Sequence, residues 1–148
     1  MSKEIEKTIS EALKGDAQKN AMDFLVFLNA NEMLAGGEHG AVSYKGENVC
    51  YLHIDGSDEA PGPWTVWLDG DYSGEPENRI IEIAQKNVNI CANCGCDCNP
   101  GSRKSIFGKE FDNVCVGAAM AFNNPCAEIL ECIKKLIIIK KNEKEGCA

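Results

Sequence analysis

The chain has 148 residues, 44% of them hydrophobic, and its fifteen basic against twenty-three acidic side chains give a net charge of −8. That length suits one domain, and that apolar fraction can fill a core, which excludes a fully disordered chain. The acidic balance repels a phosphate backbone, and no apolar run, 24–28 and 136–139 included, exceeds five residues, far short of the roughly 20 residues of a membrane-spanning helix.

Taken in chain order, residues 3–34 carry a helical pattern. Ile5, Ile9 and Leu13 recur every four residues, then Gly15-Asp16 interrupts, with Asp16 offered as the N-cap of a second segment. The stripe of that segment is Ala17, Ala21, Phe24 and Leu28, widened by Met22, Leu25 and Phe27, and Gly36-Gly37 is expected to end it. Residues 41–45 and 49–55, around a turn centred on Gly46, read as a β-hairpin. Cys50, Leu52 and Ile54 fall on one face and Val49, Tyr51 and His53 on the other. A Gly/Pro/acidic loop, 56–63, leads to a strand at 64–68. Trp64 and Trp67 are three residues apart and so point to opposite faces, one into the core and one half-exposed.

A second acidic loop, 69–76, precedes a short helix over 77–87 that buries Ile80, Ile81 and Ala84. Residues 106–108 and 111–122 read as extended. Asn124-Pro125 marks a helix start, Asn at the N-cap and Pro at N1. Ile129, Leu130, Ile133, Leu136 and Ile137 form its buried stripe, and Lys134, Lys135, Lys140 and Lys141 favour the dipole-negative end. Residues 142–148 are expected to be a flexible tail. Together these elements predict a single α+β domain over 1–148. Its antiparallel sheet would have about four to five strands, with the N- and C-terminal helices packed on one face and a cysteine-rich loop. Residues 1–7 are polar with no apolar stretch behind them, so no secretory signal and a cytoplasmic location are expected. The expected partner is a small ligand or a protein, with no nucleic acid and no membrane, and the apolar run 136–139 suggests a homodimer contact.

The cysteines carry the chemistry. There are nine, and four of them, Cys91, Cys94, Cys96 and Cys98, fall within eight residues. Scattered cross-links would staple distant loops, which four thiols in one short loop cannot do, so the pattern reads as metal-binding or redox. Cys91-Ala92-Asn93-Cys94-Gly95 is a C-x2-C-G knuckle: two intervening residues let a tight turn aim both sulfurs at one ion. Cys98 and Cys115 are the candidates for the other two ligands, with Cys96 as the substitute. Wrapping 91, 94, 96 and 98 around one ion would strain the loop. Four thiolates around Zn²⁺ leave a charge of about −2, which Arg103 and Lys104 could offset. Four sulfurs select zinc or an iron–sulfur cluster over magnesium or calcium. Free thiols, or a redox role for Cys94 or Cys96, are the rival readings. Cys50, Cys126 and Cys132 read as buried small hydrophobes, and Cys147 as incidental.

The run Cys91-x2-Cys94-x3-Cys98-x-Pro100-Gly101, with Ile106-Phe107-Gly108-Lys109-Glu110-Phe111 and Val114-Cys115, resembles a block found in a family of small uncharacterised bacterial proteins with no established activity. The resemblance covers roughly 25 residues and implies that Cys91, Cys94, Cys98 and Cys115 belong to one pattern, Cys96 being extra. The order of elements also looks like that of small α+β bacterial domains, some of them compared with frataxin-like iron chaperones. An iron- or metal-handling role is what that layout implies.

Signals for catalysis are sparse. The two histidines, His39 in a loop and His53 on a strand, belong to no H-E-x-x-H, and no G-x-S-x-G, P-loop or G-x-G-x-x-G is present. A sulfur-only zinc site is closed and structural, whereas catalytic zinc keeps an open position. The acidic stretches 55–59 and 69–77 read as solvated turns, with cation binding through oxygen as the alternative. Tyr51, Trp64, Trp67 and Tyr72 are candidates for lining a pocket. The expectation is therefore a non-enzymatic binding module with a zinc-held loop; a thiol-based enzyme or redox protein and a metal-handling protein are the alternatives.

Overall fold

The computed structural model describes residues 3–35, 40–54, 64–90, 102–115 and 119–146. Its elements run α1 (Lys3–Ala12), α2 (Gly15–Ala30), β1 (Ala41–Tyr44), β2 (Glu47–Ile54), β3 (Trp64–Leu68), α3 (Asn78–Lys86), β4 (Ser102–Ile106), β5 (Lys109–Val114), β6 (Met120–Asn123) and α4 (Ala127–Gly146). This is an α+β fold with an antiparallel four-stranded sheet in the order β1-β2-β3-β6 and a separate β4-β5 pair. Among the described residues no helix is long and apolar enough to cross a membrane. The chain divides into two compact units. One holds residues up to Val66 and from Phe122 onward; the other is Trp67–Ala121.

The first unit is built around three helices and the sheet. Gln18 joins α1 to α2 by donating its side-chain amide to the carbonyls of Ser10 and Leu13, both at 3.0 Å, which satisfies the open end of α1. Helices α1 and α4 both pack against β2, and α2 packs against both helices. Ile9, Leu13, Phe24, Leu25, Leu28, Cys50, Leu52, Trp64, Ile133, Leu136 and Ile137 are buried, so the helical stripes meet the inward face of β2. Phe24 ties the layers together: its ring lies 6.2 Å from Phe27, stacked, and 6.0 Å from Trp64, tilted. Trp64 is fully buried and Trp67 half-buried, as three-residue spacing on a strand demands. The hairpin turns on Lys45 and Gly46, both at positive φ, the type I′ geometry of a two-residue loop.

Four boundaries differ from the sequence reading. Helix α2 stops at Ala30, short of Leu34. The Asn31 N–H reaches back to the carbonyls of Phe27 and Leu28, its side-chain amide donates to Phe27 O at 2.9 Å, and Glu32 adopts φ +62. Leu34 then exchanges backbone bonds with Ser43, so the apolar rhythm beyond Ala30 belongs to a β-bridge and not to the helix. The N-cap position of α2 is Lys14, with Asp16 inside the first turn. Helix α4 begins at Ala127 because Asn124 takes φ +43 and gives its N–H to Trp64 O at 2.7 Å. The first helical bond, from Leu130 N at 2.8 Å, closes on the carbonyl of Cys126, which is thus the N-cap. The helix continues through Gly146, past the start of the expected tail.

The lysines of α4 do not only attend its C-terminus. Lys134, with its side chain 15% exposed, reaches Asp23 at 2.5 Å and Glu131 at 3.2 Å, and lies over the Phe27 ring. Lys141 lies over the Tyr44 ring at 5.2 Å. Their aliphatic stems cover apolar surface while the charged ends stay paired or wet.

The second unit packs α3 with the β4-β5 hairpin. Among its described residues, Leu68, Tyr72, Ile80, Ala84, Ile106, Val114, Ala119 and Met120 are buried. Ile80 and Ala84 of α3 are buried and Ile81 half-buried, close to the sequence expectation. Isolated bridges extend the hairpin: Tyr72 pairs with Ile106 on the outer edge of β4, and Ile90 pairs with Val114 on the outer edge of β5. Gln85 donates to Ile106 O at 3.0 Å and fixes α3 to β4.

Candidate functional site

The sequence places its chemistry in residues 91–101, and these lie outside the described residues, so Cys91, Cys94, Cys96 and Cys98 do too. Both ends of that stretch are described. Ile90 bridges Val114 on one edge of β5, and Ser102 pairs with the same Val114 on the other edge. One buried residue therefore has the two flanks of the cysteine segment as its neighbours. With strands about 4.8 Å apart, the flanks stand about 10 Å from each other.

Cys115 follows Val114 directly. It is half-buried, and its N–H donates to Asn89 O at 2.8 Å, which locks it beside the chain that enters the segment. The fifth cysteine of the pattern is thus held at the mouth of the stretch carrying the other four. A bulge sits immediately before it: Ser102 pairs with Val114 and Lys104 with Phe111, so Arg103 faces both Asp112 and Asn113, and Asn113 takes φ +59. Arg103 donates to Asp112 at 2.7 Å and lies 4.0 Å from Glu110; the hydrogen bond and the two charges raise its guanidinium above the usual value. Arg103, offered by the sequence as an offset for thiolate charge, is committed to these carboxylates. Among the described residues no group of three or more His, Cys, Asp or Glu is arranged to hold a metal ion.

The other cysteines divide by burial. Cys50 is fully buried, and burial pushes its thiol far up, so it is an inert core group. Cys132 is buried as well. Cys126 is exposed, contrary to the buried role read from the sequence, because the later start of α4 leaves it at the N-cap instead of on the apolar stripe. Cys147 and His39 lie outside the described residues. His53 is on the solvent face of β2, where strand alternation puts it.

The acidic loop 69–77 is held by hydrogen bonds to β4 and the turn that follows it. Asp71 accepts the Ser105 N–H at 2.7 Å, Tyr72 N donates to Ser105 O at 2.9 Å, and Phe107 N donates to Tyr72 O at 2.8 Å. The loop is in this way stitched along β4. Beside it, between the loop, the first turn of α3 and the β4-β5 turn, lies an open groove of about 780 Å³. Its aromatic wall is Tyr72 with Phe107, whose ring centroids are 6.0 Å apart and tilted by 56°. Ser73, Asn78 and Ser105 supply polar groups, and Glu75 the one side chain charged at neutral pH among the described lining residues. The β4-β5 turn repeats the left-handed first position of the β1-β2 turn, where Lys45 stands at φ +52, but with a bulkier side chain. Phe107 has φ +51 at the first central position of a two-residue hairpin loop, a place where Asn, Asp or Gly serves without strain.

Sequence reasoning offered Tyr72 for a pocket and the stretch 69–77 as an alternative cation site, but it placed Phe107 in an extended run and not at a site. The signal available was Phe107-Gly108 between two extended runs, a hairpin turn with the wrong first residue. Of the other aromatic candidates, Trp64 is core and Tyr51 and Trp67 are half-buried; Tyr72 alone of the four lines the groove. Comparison of the chain with protein-family models, with curated proteins and with solved structures finds no match.

Proposed function

We propose that this protein is a small binding domain whose cysteine-rich segment is held by a structural zinc ion, with Cys91, Cys94, Cys98 and Cys115 as ligands and Cys96 as the substitute. The observation that supports the reading is the anchoring of both ends of that segment on Val114, with Cys115 next in the chain. A fourth thiol at the mouth spares the loop the strain of supplying every ligand itself. Zn–S bonds of about 2.3 Å need sulfurs within one coordination sphere, and Cys115, next in the chain to the residue that both flanks pair with, is well placed to join it. A closed four-sulfur sphere leaves no open position for a substrate, so the ion orders the loop and does not catalyse. The surface thus ordered meets a small ligand or a protein partner. A reducing cytoplasm, which keeps thiolates available to metal, suits such a site.

Elemental analysis of protein purified without oxygen tests this. One equivalent of zinc is expected, retained in Cys132→Ser and lost or halved in Cys115→Ser. Metal-free protein overturns the proposal. A brown sample with visible absorbance and stoichiometric iron replaces zinc by an iron–sulfur cluster.

A further inference from the structure

We propose that the groove of the Trp67–Ala121 unit binds a small organic cation, a primary or methylated alkylammonium, with Glu75 as the counter-charge and Phe107 as the aromatic face. The inference stands apart from the zinc reading, because no cysteine is among the described residues that line the groove. Its volume, about 780 Å³, lies within the range of sites for small ligands. The walls are preformed: three hydrogen bonds of 2.7 to 2.9 Å tie residues 71 and 72 to residues 105 and 107, so little order has to be acquired on binding.

Charge and aromatics choose the ligand. Glu75 is exposed, and no ion pair engages it among the described residues. The face of an aromatic ring attracts a cation, and more strongly where solvent is partly excluded. The same unit already uses this contact, with Lys109 Nζ 5.3 Å from the Phe111 ring centroid. An overall charge of −8 draws cations toward the protein. One feature opposes the choice. Helix α3 opens on the groove at Asn78 with no side-chain cap, and a helix N-terminus favours anions. That end carries about half a positive charge, against a full negative charge on Glu75, so the cation wins.

The backbone adds an independent argument. A bulky residue in the left-handed region is an outlier, and such strain concentrates at ligand sites. Asparagine at position 107 would make the better turn, yet phenylalanine stands there, half-buried against Tyr72 and lining the groove. The ring is held where it is despite the turn.

Titration by NMR and calorimetry with butylammonium, tetramethylammonium, butyrate and n-butanol tests the proposal. Saturable binding of the two cations is expected, with butyrate and n-butanol at least tenfold weaker. Glu75→Gln should weaken cation binding at least tenfold, and Glu82→Gln, which removes the same charge from the solvent side of α3, should leave it unchanged. Phe107→Asn should lose binding without lowering the melting temperature, which separates a ligand-facing ring from a merely structural one. No saturable binding up to 20 mM (on the order of the weakest useful affinity), equal response to butyrate or n-butanol, or equal loss in both Glu variants overturns it. So does a Phe107→Asn variant that binds as well as the parent.

Discussion

Two glycines at nearly the same backbone angle should respond to the same substitution very differently. Gly46, φ +84, is the second turn residue of the β1-β2 hairpin, and a Cβ built there meets nothing within 4 Å. Gly46→Ala therefore isolates the conformational cost. The left-handed region costs an L-residue about 1–2 kcal/mol, and the stiffer unfolded chain returns about 0.4–1 kcal/mol. The net loss is about 1 kcal/mol. Gly40 has φ +81 but precedes the residue paired with Tyr51, so it faces Leu52 across the ladder. A Cβ there would sit on the Leu52 carbonyl oxygen, well inside van der Waals contact, and 3.2 Å from its carbonyl carbon. Both atoms are backbone of β2, held by the hairpin ladder, and cannot swing aside as a side chain would. Overpacking adds about 1–3 kcal/mol, so Gly40→Ala should cost about 3 kcal/mol. For a chain of this size each kcal/mol lowers the melting temperature by about 2–4 °C. Melting followed by circular dichroism should therefore fall by about 3 °C for Gly46→Ala and about 10 °C for Gly40→Ala. Equal shifts in the two variants would refute the claim that close backbone approach, and not φ alone, keeps glycine at position 40.

Other outcomes follow from single residues. Burial pulls the Lys134 ammonium down, but its hydrogen bonds to Asp23 and Glu131 and their charges raise it overall. Its contribution, about 1 kcal/mol, should be complete below the ordinary lysine value near 10.4 and fade as pH rises through the raised folded value. Urea unfolding between pH 8 and 11.5 should show that decline, and Lys134→Met should flatten it. Native alkylation at pH 8 read by mass spectrometry should modify Cys126 and leave Cys50 at least about 100-fold slower, since burial denies Cys50 both access and thiolate. Leu28→Ala, at a fully buried position on α2, should cost about 2–5 kcal/mol in urea unfolding.

How much of this was readable in advance depends on the distance over which each feature is decided. The Gly46 turn and the opposed tryptophans follow from alternation and from neighbours in the chain, and they stand as read. The ends of α2 and α4 do not. Leu34 keeps the apolar rhythm but is claimed by Ser43, nine residues away, and Asn124 is claimed by the carbonyl of Trp64, sixty residues away. Cys126 shifted from core to surface for that reason alone. The groove was illegible because its wall is a tertiary pairing of Tyr72 with β4 and because Phe107 breaks the turn chemistry that sequence reasoning relies on. The cysteine pattern was plain as spacing. What spacing could not supply was the bridge from Ile90 to Val114, which sets Cys115 beside the segment.

That bridge also makes residues 91–101 an exchangeable cassette. Their two anchor points are about 10 Å apart whatever lies between them, because β5 sets the span. Because β5 stands between the two anchors, any replacement has to arch over that strand, and a bridge cut to the straight-line distance would be too short. By the same geometry, an unrelated loop could be spliced into the socket, and the scaffold would acquire a new recognition element without relearning how to fold.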